Sequence, residues 1–476
     1  MFKFAHRLRG TAQKFTQSWA HITRMQLAVL ACGVLIGCGT PQNQPAPQNT
    51  GTAPSYALEL PQMKRFNSLR PAPIRRSNSA IARDFLDLSF QLENGTDLTQ
   101  FTRFEGPITL RVTGNSIPAS LGPDLDILIK RLRSEAGINI TRVAPSVDAN
   151  ITIQTLPHSE LRRRAPNTAC IVAPNISSWD GFRRSRRANL SWAAVTRRER
   201  LAIFIPNDEA PQEIRDCLHE ELAQSLGPLN DLYRLDDSVF NDDNIHSVLT
   251  EFDMLILRAT YAPDLRNGMT RDEVALRLPA ILSRLNPAGD RINTPRIAPT
   301  PRVWIDDVSI AMGSQTSVSA RRAAAKRAVL TARAQGWNDT RTGFSLFLLG
   351  RLSVGADRDL ADAALTQAHE IYSARASTAY HAAHVALQLS AIALLERDYD
   401  GALKLTSAAM PAAYDAGNAA LLASLMLTKA EALRAIGRAS EARLVRLDSL
   451  GWARYGFGTD EQVLALTRDI ANLARR

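Results

Sequence analysis

Between about residues 75 and 285 the hydrophobic positions change period from one stretch to the next. In SNSAIARDFLDLSF, Ile81, Phe85 and Leu88 fall at helical spacing behind serines able to cap. ITLRVT alternates Ile108, Leu110 and Val112 against polar neighbours, which predicts a strand. Leu125, Leu128, Ile129 and Leu132 predict a second helix, ending at Gly137. INITRV and NITIQTL predict two more strands, and the unbroken apolar run of RLAIFIP a buried one. CLHEELAQSLGPLND and VLTEFDMLILRATY then predict helices. The order is helix, strand, helix, three strands, helix, which makes this an α+β region.

A stretch at 286–315 carrying Pro, Thr and Ser reads as a linker, and the pattern changes beyond it. Residues 316–476 are alanine-rich and helical. Three segments there look alike: ADRDLADAAL, RDYDGALKL and GRASEARLV. Each joins a tight turn to a helix opening with an alanine, and those alanines (Ala363, Ala402 and Ala442) lie 39 and 40 residues apart. A small residue there lets two helices approach closely, and such a period predicts stacked helical hairpins. The segments resemble tetratricopeptide-type repeats, DYDGAL most of all, although the usual period is shorter, about 34 residues. Antiparallel helix pairs follow, with Tyr399 at an inter-helix contact and a face for a protein partner.

The amino terminus changes the reading of charge. Lys3, Arg7, Arg9, Lys14 and Arg24 precede MQLAVLACGVLIGC without one acidic residue. The apolar run is too short to span a bilayer and suits a signal peptide. Leu35-Ile36-Gly37-Cys38 looks like a bacterial lipobox, so residues 1–37 are expected to be removed and Cys38 to carry lipid. Cleavage there takes the net charge from +10 to +5, which weakens any case for nucleic acid. Residues 38–74 begin with the polar run TPQNQPAPQNTGTAPS, which cannot bury a core and reads as a tether. The expected location is the cell envelope, anchored by lipid, with the outer membrane facing the periplasm as the default destination. Cys170 and Cys217 remain, and in an oxidising compartment they are expected to form one disulfide.

In CLHEELAQSLGPLND, His219-Glu220 lacks a histidine four residues on, since that position is Ala223. A zinc helix needs both ligands on one face. One residue later, Glu220-Glu221-x-x-Gln224-x-x-Gly227-x-x-Asn230 has the spacing of HExxHxxGxxH. The general base would be Glu221 and the turning glycine Gly227. The three histidine positions hold Glu220, Gln224 and Asn230. One carboxylate and two amides are poor zinc donors. Asp231 could stand in for Asn230, and the acidic run DDSVFNDDN could add oxygen donors, although a solvated acidic loop is the plainer reading. No metal and no cofactor are expected. Gly227 should end the helix, and Asn230 should return to the Glu220 face, where amides and carboxylate would hydrogen-bond one another.

The order of elements before this helix resembles the zincin metalloprotease fold, in which the active helix follows a small twisted sheet. The chain is also similar to a family of uncharacterised proteobacterial lipoproteins in which a stretch like EExxQxxGxxND is followed by one like LTEFDMLILRATYAPDLRNGMT, here Leu249 to Thr270. The resemblance covers about 75–285. It implies a fold, an α+β zincin-like domain followed by an all-α helical-repeat domain, and a compartment, but no activity. The function expected is binding or scaffolding. The alternatives are a hydrolase with an unusual site around Glu221 and a binder of anionic lipid or envelope polymer. The last rests on Arg162, Arg163, Arg164, Arg183, Arg184, Arg186, Arg187, Arg197, Arg198 and Arg200, opposed only by Glu160, Asp180 and Glu199. His246, His381 and His384 are too far apart in sequence to suggest a cluster.

Overall fold

The computed structural model describes residues 60–66, 73–166 and 168–474. The expected signal peptide and Cys38 lie outside the described residues, as does most of the expected tether.

The α+β region holds α1 (Asn78–Phe90), β1 (Ile108–Gly114), α2 (Leu121–Glu135), β2 (Ile140–Arg142), β3 (Ile151–Leu156), α3 (His158–Arg164), β4 (Ile171–Pro174), α4 (Trp179–Arg184), β5 (Leu201–Pro206), α5 (Pro211–Leu226), α6 (Glu251–Thr260) and α7 (Arg271–Leu285). The strands form one mixed sheet in the order β2-β1-β3-β5-β4, parallel except for β4 at the edge. Strands β3 and β5 lie inside it. Every residue of β5 is buried, as its unbroken apolar run predicts for a strand covered on both faces. Ile153, Ile203 and Ile205 join the main core with α1, α2, α5 and α6. On the opposite face Ala202 and Phe204 meet Leu161, Trp179, Phe182 and Leu190. The arginine-rich passage therefore supplies a second layer of core, and the Trp179 ring is spent on Phe182 and Phe204 at 5.1 and 5.0 Å.

β4 was not expected. Four residues within a polar passage give too short an alternation to stand out, and pairing with β5 creates the strand. Cys170, just before β4, is bonded to Cys217 in α5, as expected from cysteine counting.

The second region is α8 (Arg302–Met312), α9 (Val318–Ala334), α10 (Thr340–Ser353), α11 (Arg358–Ser373), α12 (Ala379–Leu395), α13 (Tyr399–Asp415), α14 (Ala419–Ala435), α15 (Ala439–Phe457) and α16 (Asp460–Leu473). α8 corrects part of the expected linker, 286–315: Trp304, Val308, Ala311 and Met312 face the helical core, a spacing that the neighbouring prolines obscured. The three similar segments open α11, α13 and α15. The register of the first needs correction. Ala363 is exposed, and Ala361 is the fully buried equivalent of Ala402 and Ala442, each four residues after its cap at Asp357, Asp398 or Arg438. Tyr399 packs beside Ala393, Leu394 and Ala402, as expected of an inter-helix contact. Gly417 and Gly437, with φ of 70° and 83°, make turns that few other residues accept. α12 is apolar enough to cross a membrane by composition, but it is mostly buried inside the bundle.

The described end of the expected tether is docked. Lys64 N–H donates to Gly451 O at 3.0 Å, and Phe66 stacks on Trp452 at 4.6 Å. A side chain on Gly451 would strike Gln62 O.

Candidate functional site

α5 carries the motif and is buried on nearly every side, from Ile214 to Leu226. Glu220 and Gln224 are one helical turn apart, and Gly227 follows the last helical residue. Gly227 has extended backbone; its missing side chain matters because a Cβ would lie 2.7 Å from Thr260 Cγ2. Glu220, Glu221, Gln224 and Asn230 are 7, 2, 5 and 3 % exposed.

Asn230 does not serve as expected. Its Nδ2 donates to Asp87 O at 3.0 Å, and its Oδ1 accepts from Asp231 N at 3.0 Å. Its amide bonds the end of α1 and its own backbone, and Gln224 Nε2 has no hydrogen-bond partner among the described residues. The Gln224 amide nitrogen therefore does not make the exchange with Glu220 that was expected, and the donor set of one carboxylate and two amides does not fit zinc.

A residue that the sequence did not single out closes α5. Arg198 is the one buried arginine of its passage. Its Nη1 donates to Gln224 O and Ser225 O at 2.6 and 2.9 Å, its Nη2 to Gly227 O at 2.5 Å and its Nε to Thr102 Oγ1 at 3.3 Å. Tyr261 Oη donates to Leu226 O at 3.0 Å. These bonds satisfy carbonyls that every helix end leaves open, and the cation suits the negative end of the helix dipole. Burial pulls the Arg198 pKa down to about 10, which leaves it charged at neutral pH.

α5 also supports a surface outside the motif. His219 Nδ1 accepts from Leu249 N at 3.2 Å, and burial holds His219 well below its ordinary pKa, so it stays neutral for that role. Gln212 Nε2 donates to Asn418 Oδ1 at 3.1 Å, and Asn418 Nδ2 donates to Tyr380 Oη at 2.8 Å. Arg215 Nη1 donates to Gly417 O at 2.7 Å. This polar seam joins α5 to the helical region. Leu249 and Tyr380 both line a cleft of about 1000 Å³ between the two regions.

The cleft carries a dense set of charges. Arg76 reaches Asp84 at 3.3 Å and Asp236 at 2.9 Å, contacts Asp237 as well, and covers the Phe252 ring. Burial pushes the Asp237 carboxyl up to about 7, although Arg76 opposes the shift. Arg234 meets Asp84 and Asp87, both at 2.8 Å.

At one side of the cleft the structure gathers the histidines that the sequence scattered. His246 lies 5.1 Å from the Tyr380 ring and 5.5 Å from His381; Tyr380 lies 4.9 Å from His384. His381 Nε2 is 3.5 Å from Asp243 Oδ2. Burial, first of all, pulls His246 and His384 down to about 3. The signal available in sequence was His381 and His384 three apart, on one face of a helix; nothing marked His246 as their partner.

A second unexpected grouping is Glu93, Asp231 and Asp242, whose carboxylate oxygens come within 4.8 Å of one another. Asp231 and the acidic run thus meet, with Glu93 added by the turn after α1. These carboxylates, together with Asp243, reinforce burial in raising the Tyr233 pKa. Three oxygen donors suit a hard cation better than zinc but fall short of a full calcium shell.

The passage's other nine arginines are exposed. Arg183 pairs with Asp180, and Arg197 lies 3.9 Å from Glu199.

Neither a curated protein nor a solved structure matches the chain. Residues 78–280 match the model of a family described as "Protein of unknown function (DUF2927)", and the all-helical region follows them.

Proposed function

We propose that this chain is an envelope lipoprotein whose zincin-like region is non-catalytic and works with the helical repeat as a binding scaffold. The burial of α5 carries this reading. Glu221 is 2 % exposed, lines no part of the cleft, and sits on a helix whose end is plugged by Arg198. A general base must reach the proton it takes from a bound water or substrate. The order of elements supports the zincin likeness, since α5 directly follows the last strand of a small mixed sheet. The test is metal content and peptidase activity of protein purified without added metal. The expected result is no stoichiometric zinc and no activity that Glu221→Gln removes. Zinc that a chelator strips and Glu220→Ala abolishes would restore the hydrolase.

Anchoring through Cys38 has its own test. Cys38→Ala should release the chain from the membrane fraction; wholly membrane-bound variant protein would refute lipidation. A second reading, contact with anionic lipid or envelope polymer, draws on the nine exposed arginines of the passage. Sedimentation with phosphatidylglycerol vesicles should then weaken on replacing Arg162, Arg163 and Arg164 and as salt rises; salt-insensitive sedimentation would count against it.

A further inference from the structure

We infer that the cleft between the two regions is a binding site for a small organic anion that carries an apolar body. The inference rests on the binding reading above and says what is bound.

The first observation is how the charges of the cleft are partnered. Six aspartates line the cleft: Asp84, Asp87, Asp236, Asp237, Asp339 and Asp415. Five of these already face arginine: Asp84, Asp236 and Asp237 meet Arg76, Asp87 meets Arg234 and Arg271, and Asp339 meets Arg341. Asp415 is the exception among the described residues. Arg75, Arg83, Arg296 and Arg375 line the same cleft and pair with no carboxylate among the described residues; Arg375 donates to the Asn338 carbonyl at 2.9 Å. Six arginines and six aspartates line the cleft, so the attraction is local: these four guanidiniums, of which Arg83 is half-buried and the other three exposed, are where an anion can be met. A guanidinium also offers a planar fork that matches carboxylate or phosphate.

The second observation is the rest of the lining. Ile297, Pro295, Pro299 and Pro411 offer exposed apolar surface, and Ala408 and Ala412 on α13 are small enough to leave room. Tyr380 closes one side with its hydroxyl held by Asn418. A concavity of this size between two regions, with apolar surface beside its charged groups, is a usual place for a small-molecule site.

The third observation is that the four arginines come from different parts of the chain. Arg75 and Arg83 belong to the start of the α+β region, Arg296 to the connection, and Arg375 to the turn before α12. An anion held by all four bridges the regions and stabilises their arrangement by mass action.

The test uses the full chain in detergent and three probes: 1-naphthyl phosphate, the neutral 1-naphthol and inorganic phosphate. Calorimetric titration should show one saturable site for naphthyl phosphate, with each other probe at least about tenfold weaker because it lacks one half of the contacts. Arg83→Ala with Arg375→Ala should weaken naphthyl phosphate by at least about tenfold. Arg162→Ala with Arg163→Ala should leave it unchanged. If the double alanine variant does not fold, Arg83→Lys with Arg375→Lys retains the charge, and a severalfold loss from removing the fork is expected. Naphthol binding as tightly as its phosphate, or unchanged affinity in a folded double variant, would overturn the inference. Phosphatidylglycerol vesicles that displace the probe would identify a lipid headgroup as the anion; failure to displace it would identify a soluble one. Titration failing beside a negative zinc assay sinks the cleft and spares the non-catalytic reading; the reverse pattern spares the cleft.

Discussion

The two regions are held together by different means. In the α+β region, polar groups buried at the ends of elements find specific partners: Arg198 closes α5, Asp253 and Thr250 form the capping box of α6, and a disulfide ties α5 to the segment entering β4. In the helical region, contact depends on small residues. A Cβ on Gly456 would fall 2.5 Å from Ala420 N, and Ala361, Ala402 and Ala442 are buried where helices open. A single loss should therefore be costly in the first region because it strands buried partners. In the second, a single gain should be costly because there is no room.

The largest expected effect is at Arg198. Arg198→Met leaves the carbonyls of Gln224, Ser225 and Gly227 without this donor in a buried site, at about 1–3 kcal/mol each. A total of about 5 kcal/mol should appear in denaturant unfolding, while Arg197→Met, at an exposed neighbour, should stay within about 0.5 kcal/mol. Equal behaviour of the two would erase the contrast. Next comes the disulfide. Its sequence separation of 47 places the cost of Cys170→Ala with Cys217→Ala at about 4 kcal/mol on the chain-entropy model, read as a lowered unfolding midpoint.

For the helical region, Gly456→Leu and Ala402→Leu should each cost about 1–3 kcal/mol by overpacking, with Gly456 the worse because its neighbour is backbone. Unchanged melting in both would mean loosely packed helices. The smallest effect concerns pH. Unfolded histidines take up protons below about 6.5, whereas His246 and His384 resist until about 3. The unfolded state binds more protons in that window, so these groups make stability fall as pH drops from about 6.5 toward 3. Asp237 and Asp253, raised by burial to about 7 and 6, act with the opposite sign: their contribution is lost as pH rises through those values. His384→Phe should shrink the difference in denaturant midpoint between pH 7 and pH 5; an unaltered difference would show that the histidines are not what titrates.

Much of the fold could be read along the chain. Ser77 caps α1 as its position suggested, β1 alternates as its pattern required, and α2 stops before Gly137, whose φ is 68°. The misses have physical causes. β4 is four residues long and depends on its neighbour β5. The prolines around α8 hid an apolar spacing whose partners lie in other helices. The error between Ala363 and Ala361 came from matching letters when cap positions set the register.

The candidate site was less legible. The sequence by itself determined that Glu220 and Gln224 share a helix face, that three histidine positions are missing from the motif, and that two cysteines remain to pair, because helical period, residue chemistry and counting are local properties. Tertiary structure alone decided that Asn230 turns to α1, that one arginine in ten is buried as a helix plug, that His246 meets His381, and that four arginines with no carboxylate partner among the described residues share a cleft with Tyr380. Those outcomes depend on which distant surfaces close over one another. Burial, which fixes the partners and charge states of such groups, does not exist until they have closed.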